Sequence, residues 1–175
     1  MKILLLPFLT LLTSVSLAQV SPKFELTKDG VQPIIIQLDS LNANSIYKKA
    51  LNWIQETYKN PSEVLKTNIE NETIRIDGFK NNAWFYKSLG SKNEYDMEYS
   101  FRIDIKDYKI KLTFDVGQFW ADGKKVLYNY TTFFKSNGEI KGSYKDAKPS
   151  LEITMNELSN SLVEYIKGTA KKNDW

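Results

Sequence analysis

The sequence predicts an α+β domain in two layers, with two helices on one face of an antiparallel sheet of about five or six strands, in the order strand, helix, meander, helix. Three observations carry this prediction. Residues 94–116, EYDMEYSFRIDIKDYKIKLTFDV, alternate between apolar and polar side chains, the signature of strands with one buried face. Two separate segments repeat apolar residues at helical spacing. The chain of 175 residues is 42% hydrophobic and has no Cys, so a packed core must hold it without disulfides.

The first eighteen residues stand outside the fold. Lys2 supplies a positive end, residues 3–12 an apolar stretch, and Ser16-Leu17-Ala18 the small residues that a signal peptidase reads. The apolar run is too short to span a bilayer comfortably, and Pro7 interrupts it. The expected organisation is a signal peptide over 1–18, one domain over 19–168 and a C-terminal tail over 169–175. An exported chain without Cys can carry neither disulfides nor an N-terminal lipidated Cys, a pattern that favours a bacterial periplasmic or extracellular protein.

Within the domain, Phe24 to Leu26 and Pro33 to Leu38 read as extended segments divided by a turn at Asp29-Gly30. PIIIQL is apolar on both parities, which predicts burial on both faces or a central place in the sheet. The first helix follows, with Ile46, Ala50, Trp53, Ile54 and Thr57 on one stripe, Asn42 or Asn44 as N-cap and Asn60-Pro61 as its stop. VLKTNIENETIRIDGF reads as a strand pair in which Ile69 meets Ile74, so that Leu65, Thr67 and Ile69 share a face with Ile74 and Ile76. NAWFYKS continues the sheet after a bulge or bend within 78–82. In the hairpin that follows, Ile105 pairs with Ile110, Ile103 with Leu112, Phe101 with Phe114 and Tyr99 with Val116, each inward residue meeting another. VLYNYTTFF reads as a further strand after a turn at Asp122-Gly123. The last helix carries Leu151, Met155, Leu158, Leu162 and Tyr165 on one stripe, with Ser150 as N-cap and Gly168 as its C-terminal glycine.

This pattern resembles an exported bacterial domain of unknown function described as having a TATA-binding-protein-like fold. IYKKALNWIQETYKN is similar to that family's Trp-bearing first helix, VLKTNIENETIRIDGF to its strand pair reaching a Gly, and FRIDIKDYKIKLTFDV to its hairpin. Tyr108 stands where a Gly would be expected. The resemblance implies fold, export and bacterial origin, and brings no catalytic residues with it. The DNA binding of the fold's namesake does not transfer, since function resides in sites and not in folds.

The composition narrows the chemistry. With no His and no Cys, Ser-His-Asp and Cys-His nucleophiles are excluded, as are the usual ligand sets of zinc, copper and haem. No cofactor and no metal is expected; Glu94, Asp96 and Glu98 would be splayed along a strand instead of converging on calcium. A net charge of +3 with both signs interspersed argues against nucleic acid and anionic membrane as partners. On the outward face the hairpin register sets Asp104 opposite Lys111 and Ser100 opposite Asp115, with Arg102 diagonal to both Lys111 and Asp115, an ionic lattice in which no carboxylate stands alone.

The aromatic residues are the remaining signal. Adjacent Trp84, Phe85 and Tyr86 cannot all point inward, and Phe119-Trp120 reads as part of a loop. The candidate binding residues are therefore Phe85, Phe119, Trp120 and Arg102, with no catalytic residue among them. The expected function is a non-enzymatic binding or interaction module of the bacterial envelope, with a protein or glycan partner. One alternative is a carboxylate hydrolase acting on envelope glycans or peptides, which needs two of Asp77, Glu98, Asp104 and Asp115 in a cleft without basic neighbours. Another is a structural subunit of an envelope assembly. Intact-mass measurement of exported protein is expected to give a chain beginning at Gln19, and a retained Met1 would overturn the export reading.

Overall fold

The structure, a computed structural model, describes residues 22–170; the segment read as a signal peptide lies outside them. Two short strands, β1 (Leu26–Thr27) and β2 (Gly30–Val31), pair across a two-residue turn and lead into β3 (Ile34–Gln37). Helix α1 (Ala43–Thr57) starts at Asn42, whose side-chain oxygen accepts from the Ser45 N–H at 2.9 Å. Pro61 does not itself close α1. It opens a single-turn helix, α2 (Pro61–Val64), where its missing N–H costs nothing. The meander follows as β4 (Leu65–Ile69), β5 (Thr73–Ser88), β6 (Ser91–Lys106) and β7 (Lys109–Ala121), with β8 (Lys124–Lys125) folding back on β7. Helix α3 (Ala147–Lys167) ends at Gly168, which takes φ 74°.

The main sheet has the order β3-β7-β6-β5-β4, every pair antiparallel. All four pairs expected for the β6–β7 hairpin occur. Its two-residue turn places Tyr108 at φ 65°, a conformation that disfavours a side chain. Docking holds it there: the Tyr108 N–H donates to Leu41 O, its carbonyl accepts from Leu38 N–H, and Asp107 Oδ1 accepts from Ala43 N–H at the start of α1. The turn thus ties the sheet to the helix layer.

Both helices pack on one face of the sheet. Met97, Tyr99, Phe101, Ile103 and Ile105 on β6 are buried beneath Ile46, Ala50, Trp53 and Ile54 of α1 and Leu151, Met155, Leu162 and Ile166 of α3. Trp53 meets Phe101 edge to face at 6.4 Å and donates its indole N–H to Ser161 Oγ on α3. Burying each such apolar side chain contributes about 1.5–3 kcal/mol. Phe24 fills the gap between Phe101 and Phe114, its backbone held at both N–H and carbonyl by Asn156 of α3.

Beyond Ile76, β5 has lost β4 as a partner, and α3 covers the open edge. The Ser150 hydroxyl accepts from Phe85 N–H at 3.1 Å, and Thr154 Oγ1 donates to Ala83 O at 2.6 Å. Ser150 is therefore not the N-cap; Asp146 takes that place, and Ser150 is buried inside the helix to satisfy the strand.

Three further expectations give way. β3 is an edge strand, so Ile34 and Ile36 are buried while Ile35 is 53% exposed on the open face. In β4 the turn takes three residues, with Asn71 at φ 61°, which pairs Ile69 with Thr73 and Asn68 with Ile74. That one-residue slip sends Ile69 outward, 50% exposed, and lets Asn68 accept from the Tyr47 hydroxyl. VLYNYTTFF does not form a strand. Asn129 Oδ1 accepts from Thr131 N–H and turns the chain into a 3-10 helix over Tyr130–Phe133. Phe133 is thereby delivered onto Trp84 at 4.8 Å, closing the end of the core that the helices leave uncovered.

Gly78 faces Tyr99 across the β5–β6 pair, and a Cβ there would lie 2.5 Å from the ring. The ring occupies that vacancy and hydrogen-bonds Tyr58 at the end of α1. Gly78→Ala is expected to cost about 1–3 kcal/mol through overpacking, read as a lower urea midpoint at unchanged slope; an unshifted midpoint would show that the contact gives way freely.

Candidate functional site: the open sheet face

Two breaks in register position the side chains of the open face. Between Met97 and Tyr99, β7 carries the extra residue of a bulge, and Gly117 sits there because a Cβ would come within 2.7 Å of Glu98 O. Below the bulge, Ile110, Leu112 and Phe114 point inward; above it the parity shifts, so Phe119 points inward and Trp120 outward. On the other side of β6, the register with β5 shifts between Lys80 and Trp84, where Asn82 adopts φ 50° and donates its N–H to Asp96 Oδ1.

This geometry divides the four residues picked out from the sequence. Phe119 is not a surface ring and lies in no loop: it is fully buried in β7, packed against Trp84 and Phe133. Phe85 is half-buried and outward, with the Lys92 ammonium 4.5 Å from its ring centre. Trp120 is half-buried and outward, its indole N–H donating to Glu98 Oε1 at 3.1 Å. Arg102 is exposed and held by Asp104 at 2.7 Å. Phe79, which the sequence reading passed over, is 51% exposed and meets Trp120 edge to face at 6.4 Å. Its signal was available: with Ile74 and Ile76 inward, odd positions of β5 face out.

The polar residues around these rings are paired. Asp77 bonds Arg75, and Asp104 bridges Arg102 and Lys111 while accepting from Thr73. Partial burial alone would raise the Asp104 carboxyl, but hydrogen bonds from Arg102, Thr73 and Lys111 outweigh it and hold it below the usual carboxylate range. Among the candidate acids of a hydrolase, Asp77 and Asp104 thus have basic partners and Glu98 has the indole of Trp120. Among the described residues, no group of three or more Asp and Glu is placed to hold a metal ion.

The sheet, its two covering helices and the open outer face define a two-layer α+β domain with a binding surface as its candidate site. Over residues 34–120 the chain matches the model of the family described as "Domain of unknown function (DUF4468) with TBP-like fold". The resemblance seen in the sequence therefore holds. A DUF4468 family protein from Bacteroides ovatus is similar at TM-score 0.56 and 12% identity, covering 90% of this chain and 95% of that one. A TBP-like protein from Parabacteroides distasonis is similar at TM-score 0.54 and 12% identity, covering 79% of this chain and 93% of that one. These likenesses establish the fold. No curated protein matches the sequence.

The depressed Asp104 carboxyl has a consequence for acid stability. A carboxylate of this kind contributes stability that is present above its ordinary value of 3.8 and is lost as pH falls through its lower folded value. Thermal melts of the wild type and Asp104→Asn are expected to differ at pH 7 and to converge below that range; a constant gap down to pH 2 would contradict the assignment.

Proposed function

We propose that this chain is an exported, non-enzymatic binding or interaction module of the bacterial cell envelope, engaging its partner through the open sheet face and the rings on it. The observation that carries the reading is the Phe79–Trp120 pair, set outward on a face whose other side chains are mostly charged and paired. Aromatic surface left in water represents burial free energy still available to a partner, and rings of this kind dominate binding hot spots. The edges of Glu98 and Asp96 beside the rings offer acceptors to a glycan hydroxyl or to a protein donor. The signal-like N-terminus supports export, and no helix among the described residues is long and apolar enough to cross a membrane. The hydrolase alternative draws no comparable support, since three of its four acids, Asp77, Asp104 and Glu98, are tied to Arg75, to Arg102 and Lys111, and to Trp120.

Capture from detergent-solubilised envelope, and on purified peptidoglycan, compares the wild type with Phe79→Ala/Trp120→Ala. Loss of two hot-spot rings is expected to reduce retention about thirtyfold or more, with little change in melting temperature. Equal retention by both proteins would end the proposal.

A further inference from the structure

The open face is divided along its strands. From Ser100 upward on β6 it carries Asp77, Asp96, Glu98 and Asp115 around the Phe79 and Trp120 rings, with Lys125 opposite Trp120 and Lys87, Lys92 and Glu94 at the far end. From Arg102 downward it carries Arg75, Arg102, Lys106, Lys109 and Lys111, with Asp104 among them. The exposed Ile35 and Ile69 flank this basic half on the two outer strands. Each half therefore offers apolar surface, and the two halves differ in the sign of their net charge. Such a surface complements itself when turned end for end.

We infer that the open face docks a second copy of this chain, face to face, about a two-fold axis that crosses the strands near the level of Phe101. The inference rests on the binding face proposed above and names its partner. An axis in that direction keeps each strand over its own counterpart and reverses it, making every contact twice. Trp120 of one copy then comes over the lower end of β7 in the other. There Ile35, Asp104, Lys106, Lys109, Ile110 and Lys111 line a depression of ≈ 230 Å³. Phe79 comes over the Ile69–Thr73 pair, with Arg75 beside it. Each ring gains an aliphatic neighbour and a cation at its face. Asp96 comes over Lys106, Asp77 and Asp115 lie near the opposing Arg75 and Arg102, and Glu98 meets the Asp104 ion pairs, where two cations surround one acid.

The dimensions suit the partner. Five strands below Phe101 and three above it, spaced about 4.8 Å apart over about 34 Å of β6, present about 650 Å², near the area of roughly 800 Å² that each side of a standard interface buries. A polyanion would answer only the basic half and meet repulsion from the acidic half, and a polycation the reverse. A neutral glycan would leave both unanswered. A reversed second copy answers each half with the other.

Sedimentation of the chain from Gln19 onward, across concentration and salt, tests this with two charge-reversed variants. One is Asp96→Lys/Asp115→Lys and the other Arg102→Glu/Lys106→Glu, the residues that face one another across the axis; Arg102, Lys106 and Asp115 are exposed and Asp96 is half-buried, and circular dichroism confirms that both variants fold. The wild type is expected to dimerise and to weaken with added salt. Each variant alone is expected to dissociate at least about tenfold more readily, and an equimolar mixture of the two to recover the dimer. A wild-type dimer indifferent to both reversals overturns the inference, as does a mixture that fails to associate. A wild type that stays monomeric to about 1 mM also overturns it. If Phe79→Ala/Trp120→Ala still abolishes envelope capture in that last case, the binding face stands with another partner; if it does not, the binding-face reading fails as well.

Discussion

The alternation of β6 from Met97 to Ile105 sets the terms on which its neighbours join it. Side chains of a strand face two sides with a period of two, so a neighbour that must change which residues it buries has to break register. β7 does so opposite Glu98, while at about the same level β5 takes two extra residues between Lys80 and Trp84 and keeps its parity. Below that level the core is aliphatic and aromatic and is covered by helices. Above it, Trp84 and Phe119 turn inward to meet Phe133 from the long connection before α3. The break in β7 also turns Trp120 outward, beside Phe79, which the regular part of β5 already sets on that face. Core and candidate site are thus two outcomes of one local geometry.

The energetics of the two faces are unequal. Exposed ion pairs such as Arg102–Asp104 and Arg75–Asp77 contribute about 0–1 kcal/mol each, while a fully buried ring or branched side chain contributes more. The outward row therefore has little part in holding the fold. It is available for recognition, and its substitution is a test of binding more than of stability.

What was legible in the sequence follows from the reach of each signal. The β6–β7 register could be read because inward residues recur without interruption on both strands and only one pairing matches them. The stripes of α1 and α3 were legible for the same reason, except at Thr57, which is exposed, and at Leu158 and Tyr165, which are half-buried beside the buried Ser159 and Ile166. The slip at Ile69 was not, because Leu65-Thr67-Ile69 alternates well in either register and Asn71 decides the turn by its backbone. Phe119 was misplaced because the bulge at Gly117 answers to the Glu98 carbonyl on another strand, which no local pattern records. Ser150 looks like a helix cap in sequence. Its actual partner is the backbone of Phe85, sixty-five positions away.

That last contact bears on the order of events in folding. α3 is synthesised after every strand of the sheet, and until it arrives the edge of β5 at Ala83 and Phe85 has no covering partner. The pairings of β4 with β5, β5 with β6 and β6 with β7 are local and do not use α3, so a chain in which they form before α3 docks carries one raw margin. An unpaired margin is a template for intermolecular strand addition. The hydroxyls of Ser150 and Thr154 are thus a late seal against aggregation as well as a packing detail, and a chain interrupted before Lys145 would leave its sheet permanently open to its neighbours.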